Sequence, residues 1–273
     1  MILFFFFHQI CETLDLKPRK LAEFTTFCFI FEVNTMHKKL LFFAISIGCL
    51  FIFNLSIFAQ TSNADPAPPK PVADLKPEKV TMSAKISLGG QELPLSIASE
   101  TKEENGSWSV TDTVQTPQGE ITETAILEKG TLFLKKRTIN QAGTIIEFEV
   151  KDGKAVGTSG GKPFSVDLGG ELFADGAGTF NVIAALPLAE GYSTTVRNFD
   201  VDKQVVEMKN IKVVGTEKVT VHAGTFEAYK VESVSANNPA DKTTAWISKD
   251  RVFIKIESVL VNLGGAMLTA ERQ

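Results

Sequence analysis

The chain has 273 residues, 44% of them hydrophobic and 22% charged, with a formal net charge of −4. That length and apolar content suffice for a sizeable core. No stripe of Lys or Arg runs along the chain, which excludes a phosphate-tracking surface, and nucleic acid is not an expected partner.

The first clear signal is "MHKKLLFFAISIGCLFIFNLSIFAQ", beginning at Met36. A short basic start (His37, Lys38, Lys39) leads into a long apolar run that ends at Ala59, before Gln60. That order is the order of a secretory signal peptide, so residues 36–59 are read as a signal cleaved after Ala59. A signal normally starts a chain, so residues 1–35 are read as a mis-annotated N-terminal extension. The competing reading is a membrane anchor. Leu40 to Ala59 is 20 residues, close to the roughly 20 needed to span a bilayer as a helix. The abrupt change to a polar, proline-rich stretch after Ala59 favours cleavage. A lipid-modified Cys49 is disfavoured because apolar sequence continues beyond it. All three cysteines (Cys11, Cys28 and Cys49) precede the cut, so residues 60–273 have neither a disulfide nor a cysteine nucleophile.

Residues 60–78 carry five prolines, Pro66, Pro68, Pro69, Pro71 and Pro77, and little that is large and apolar. This segment buries too little surface to offset its ordering entropy and reads as a disordered, semi-extended tether. From residue 79 to residue 273 the texture is that of a β-rich domain. Runs rich in Val, Ile, Thr and Phe are divided by turns at Gly89-Gly90, Asn105-Gly106, Gln118-Gly119, Lys129-Gly130, Ala142-Gly143 and Asp152-Gly153. Such spacing predicts antiparallel hairpins. Alternation agrees: Ile146, Phe148 and Val150 share a face, as do Ile121, Ala125 and Leu127, with Glu123 as the exception. The predicted fold is all-β and mainly antiparallel: one large curved sheet or half-barrel of about ten to thirteen strands with one short helix.

The helix is predicted over 179–186. Phe180, Ile183 and Ala184 have helical spacing, Thr179 stands where a cap would, and Pro187 ends the run. It is expected to cover the concave side of the sheet or to close one end. Strands resume at "EGYSTTVRNFD" and continue to "RVFIKIESVLVN". The apolar phase slips at Asn210, which predicts a bulge there.

Chemical motifs are sparse. His222, in "VTVHAGTFEAYKVE", is the one histidine of residues 60–273. It has no G-x-S-x-G serine and no second His or Cys to share a metal, so it reads as a turn side chain. Asp167, Glu171 and Asp175, and likewise Asp200 and Asp202, do not match a calcium loop and read as solvated turns. "GTSGGKPF" lacks the Lys-Ser/Thr ending of a phosphate loop. Trp108 and Trp246 could stack a sugar ring, but isolated strand tryptophans more often pack a core.

"VTVHAGTFEAYKVE" followed by "TTAWISKDRVFIKIE" resembles the bacterial family numbered 3108 among domains of unknown function. Val221, Ala223, Gly224, Thr225, Phe226, Lys230, Val231 and Glu232 carry the first part of its pattern. Trp246, Val252, Lys255, Ile256 and Glu257 carry the second. The resemblance covers residues 80–262 and implies an exported β-rich protein with LolA-like half-barrel relatives. It implies no catalytic residues, and the family commonly has proline in place of His222.

The expected protein is therefore an exported envelope protein, periplasmic or extracellular, with membrane anchoring as the minor alternative. The expected role is a non-enzymatic binding or structural module without metal or cofactor. Its candidate partners are a lipid or other apolar ligand, or an envelope protein. A concave apolar face needs a plug or a ligand, and Phe180, Ile183, Leu186, Tyr192, Tyr229 and Trp246 are the candidate ligand-binding residues. The alternatives are an envelope carbohydrate hydrolase using two carboxylates, and a membrane-tethered interaction domain. Mass spectrometry of the exported protein checks the N-terminal reading: Gln60 or Thr61 should come first, and retention of 40–59 would mean an anchor.

Overall fold

The computed structural model describes residues 67–116, 119–141 and 143–273. The signal-peptide and extension readings, and the first part of the proline-rich segment, lie outside the described residues. Eight strands come first: β1 (Glu78–Leu88), β2 (Gln91–Glu104), β3 (Ser107–Thr116), β4 (Gly119–Glu128), β5 (Leu134–Gln141), β6 (Thr144–Lys151), β7 (Lys154–Ser159) and β8 (Lys162–Asp167). A connection bearing helix α1 (Thr179–Ala184) follows. Six more strands complete the chain: β9 (Ser193–Asp200), β10 (Val205–Val221), β11 (Gly224–Ser235), β12 (Lys242–Ser248), β13 (Phe253–Leu260) and β14 (Ala266–Arg272).

Among the described residues these strands form one open antiparallel sheet, ordered β8-β7-β6-β5-β4-β3-β2-β1-β14-β13-β12-β11-β10-β9. Fourteen strands exceed the expected ten to thirteen. The strand that reasoning from the sequence did not place is β14, whose apolar residues are diluted by Thr269, Glu271 and Arg272. Its position is central: Ala270 pairs with Ala84 of β1 and with Ile256 of β13. The first and last strands thus join two meanders in the middle of the sheet, and the free edges are β8 and β9.

One face carries the main core and α1 and is called the inner face below. It is built by alternation: Met82 and Ala84 on β1, Ala125 and Leu127 on β4, Ile146 and Phe148 on β6 are all buried. The sheet curls until its two ends meet through this core. Phe199 of β9 lies 5.2 Å from Phe148 of β6 and 5.9 Å from Phe164 of β8, centroid to centroid. Gly157 of β7 allows part of this packing: a Cβ there would stand 1.9 Å from the Glu147 carbonyl oxygen and 2.7 Å from the Phe148 Cβ.

The bulge falls later than expected. Pairing of β10 with β9 is regular through Asn210, and the irregularity lies between Val213 and Gly215, leaving Val214 exposed. Asn210 itself is exposed, and the apolar residues before and after it, Val206 and Ile211, fall in different phases of the strand. Phe199, register partner of Val206, rests on the aromatic pair, while Ile211 and Val213 are buried in the same core. Beyond the bulge, Val219 and Val221 face outward and join Ala228, Trp246 and Ile254 in a small second core. His222 and Ala223 form the exposed turn between β10 and β11, which the Val221–Gly224 pair closes.

Helix α1 ends at Ala184, two residues before the expected end. Thr179 does not cap it. Its hydroxyl donates backward to the Gly176 carbonyl at 2.6 Å, and the N-cap is Gly178 with φ +73°, a left-handed conformation that favours glycine. The far end is held by Arg251, whose Nη1 donates to the carbonyls of Ala184 and Leu186 at 2.9 and 2.6 Å.

The described end of the proline-rich segment is not a detached tether. Leu75 is buried in the main core, the Val72 N–H donates to the Ala185 carbonyl at 2.9 Å, and the Trp108 indole donates to Asp74. Composition hid this because a single leucine and one carboxylate do the fixing, and the prolines on either side of them lower the entropic cost of ordering the strap.

The contact between the two sheet ends makes a direct prediction. Phe199→Ala should lose about 3–5 kcal/mol in urea unfolding, the usual cost of emptying a core phenylalanine site. A loss below about 1 kcal/mol would mean that the ends of the sheet do not depend on one another.

Candidate functional site

Curling leaves a cavity of about 810 Å³ on the inner face. One wall is apolar: Val80 and Met82 of β1, Ile97 of β2, Phe180 and Ile183 of α1, and Ile256 of β13. Phe180 is fixed by stacking on Phe253, with ring centroids 4.9 Å apart. Helix α1 lies at one end. The other end is bounded by exposed residues of the β9–β10 turn and the β11–β12 loop, including Asp202, Asn237 and Asn238.

The opposite wall is charged. Arg137 of β5 places its Nε 2.6 Å from Glu123 Oε1 and its Nη1 3.1 Å from Asp175 Oδ1. The second oxygen of Asp175 accepts the Phe199 N–H at 2.8 Å. Glu123 is the residue that broke the alternation of its strand: it stands on the inner face because Arg137 is there to meet it. Burial opposes the Arg137 charge, but the carboxylates of Glu123 and Asp175 outweigh it and hold the guanidinium firmly protonated. Burial raises the carboxyl of Asp175, with Arg137 opposing.

Asp112, the register partner of Glu123 on β3, sits beside them. It accepts the Ser99 hydroxyl at 2.6 Å and the N–H of Gly178 at 3.0 Å, so it anchors the start of α1. Burial pushes its carboxyl above the ordinary value of 3.8. Toward the open end, Lys203 pairs with Asp200 at 2.6 Å and with Glu207 at 3.3 Å, and Lys209 pairs with Asp241 at 3.6 Å. Among the described residues no group of three or more His, Cys, Asp or Glu is placed to hold a metal ion. None of the described helices is long and apolar enough to cross a membrane.

Of the six residues proposed from sequence, Phe180 and Ile183 line the cavity. Leu186 is fully buried in the core, and Tyr192 and Tyr229 are half-buried against it. Trp246 stands on the outer face. Ala245 and Ile247 belong to the main core, so the residue between them points the other way, where its indole donates to Glu217 and lies under Lys230 and Lys255. The phase of β12 thus turns its aromatic residue away from the expected inward position. Of the acidic clusters, Asp175, Asp200 and Asp202 line the cavity, whereas Asp167 and Glu171 do not. Arg137 was missed. Its signal was the pair of broken alternations, at Glu123 on β4 and at Arg137 on β5, which a shared register brings together.

The raised carboxyl of Asp112 gives a signed pH effect. A folded value above the unfolded one means that the native state binds the proton more tightly. The stability this contributes is complete below about pH 4 and is lost as pH rises through the raised value. Asp112→Asn keeps an acceptor for Gly178 and removes the titration. Relative to the wild type, the variant should gain stability as pH rises from 4 to 8, read from urea midpoints. A difference independent of pH would show that Asp112 titrates normally.

No curated protein matches this chain. Among solved structures the chain is similar to the β-barrel-like protein of domain of unknown function DUF1849 from Brucella abortus, at 11% identity and a TM-score of 0.52. That alignment covers 73% of this chain and 96% of the other, and the likeness is one of fold alone. The hypothetical lipoprotein YmcC from Escherichia coli aligns at 11% identity over 74% of this chain and 89% of its own, with a TM-score of 0.34. Residues 140–271 match the family described as protein of unknown function (DUF3108). The match runs through β14, beyond the expected limit at 262, and begins at the end of β5 rather than at residue 80. The segment from β6 to β14, which contains the A-G-T-F hairpin, is the part of the chain similar to this family.

Proposed function

We propose that this protein is a non-enzymatic binding module of the cell envelope, exported by the signal-like segment at 36–59, that holds an elongated apolar or amphiphilic molecule in its inner cavity. The observation that carries this reading is the cavity itself. About 810 Å³ is a volume typical of small-molecule sites, and an apolar wall lines it along β1, β2, β13 and α1. Each methylene moved from water onto such a wall contributes about 0.8 kcal/mol. The polar wall fixes orientation.

The carboxyls support binding over hydrolysis. A glycoside hydrolase needs two carboxyl groups facing a substrate across a gap. Here Glu123 and Asp175 share one guanidinium, and both oxygens of Asp112 accept from Ser99 and Gly178. These groups hold the connection and the helix in place.

An uncharged fluorescent probe such as Nile red tests the proposal. Wild-type protein should enhance its emission. Ile97→Trp, which adds bulk to a half-buried lining position, should remove most of the enhancement while the thermal midpoint stays within a few degrees. No uptake by the wild type would contradict the proposal.

A further inference from the structure

The charges around the cavity select the head of the ligand, and this inference rests on the binding function proposed above. Among the described residues, seven lining side chains are acidic and four are basic. Every lining cation already faces a carboxylate. Arg137 lies between Glu123 and Asp175, Lys203 between Asp200 and Glu207, Lys209 beside Asp241, and Arg272 against Glu78. An anionic head, such as a fatty-acid carboxylate or a phosphate, would have to break one of these pairs to be received. It would also enter a site with an excess of negative charge. A cationic head meets the opposite situation. Asp202 lies on the exposed β9–β10 turn at the open end, next to Asp200, and Asp241 flanks the same opening.

We infer that the cavity takes a single-tailed amphiphile with a positively charged ammonium head, the tail against Val80, Met82, Ile97, Phe180 and Ile256 and the head at the acidic opening near Asp202. The two halves of the cavity do different work. The apolar wall supplies affinity in proportion to tail length. The acidic rim supplies discrimination, because like charge beside a rim acid is repelled and opposite charge attracted by similar amounts. Because the rim is wet, the discrimination weakens with salt, over a screening length of about 10 Å at 0.1 M.

Displacement of bound Nile red by two amphiphiles of equal chain length, decylammonium and decanoate, tests this at low salt and below micelle formation. Decylammonium should displace the probe at an about tenfold lower concentration, a ratio set by one to two Coulomb contacts in a wet rim. Asp202→Lys should shrink that ratio to about threefold or less, each displacement being read against the variant's own affinity for Nile red. Equal displacement by the two amphiphiles, a preference for decanoate, or a ratio untouched by Asp202→Lys would overturn the inference while leaving the binding function standing. Failure of the wild-type protein to take up the uncharged probe at all would overturn both.

Discussion

Pairing of β1 with β14 is the constraint on which the rest of the molecule depends. It places the two ends of the folded domain side by side in the centre of the sheet, with Ala84 opposite Ala270 and Met82 opposite Arg272. The edges must then come from the middle of the chain, at β8 and β9. A connection between the two edges of a curled sheet passes over its inside, and residues 168–192 do this. Along the way the Leu134 N–H donates to the Leu172 carbonyl and the Phe173 N–H donates to the Arg197 carbonyl, so the connection stitches β5 to β9. Helix α1 sits on that connection and reaches the inner face. Both the plug and the cavity therefore follow from one strand pairing made late in the sequence.

The buried charges secure the same connection. Asp175 is the pivot, bonded to Arg137 on β5 and to the Phe199 backbone on β9. Such pairs are weak sources of net stability, because taking charges out of water costs about what their attraction returns. Their effect here is directional. An apolar residue at 175 could pack in several ways, whereas a carboxylate with two fixed donors allows one path for the chain. Asp112 does the same for the start of α1 through Gly178, whose left-handed backbone leaves no room for a Cβ: one would stand 2.6 Å from Val110.

Local features of this fold were legible in the sequence and distant ones were not. Glycine turns and period-two alternation marked most hairpins, and a run of helical spacing marked α1. These are signals between near neighbours. The pairing of β1 with β14 joins segments almost 200 residues apart, and nothing in "AMLTAER" names its partner. The site was legible in the same proportion. Phe180 and Ile183 reach the cavity wall because a helix in a β chain has one place to go. Trp246 was misplaced because its face depends on a phase that Ala245 and Ile247 set. Arg137 and Glu123 each look like a defect in a strand, and they become a feature once their strands are adjacent. The strap at 67–77 shows the limit of composition: proline content describes how stiff a segment is, and Leu75 decides where it rests.

The fold is shared with at least one β-barrel-like protein of unknown function. What distinguishes the proposed role is the division of one cavity into an apolar wall and a charged one, the first from β1, β2, β13 and α1, the second from β3, β4, β5 and the connection. The most direct measurement is a high-resolution crystal structure of the protein purified from its own cell envelope without detergent. The account predicts elongated density along Val80, Ile97 and Ile256, ending near Asp202. A cavity occupied by ordered water alone, in protein whose native mass spectrum shows no adduct, would contradict it.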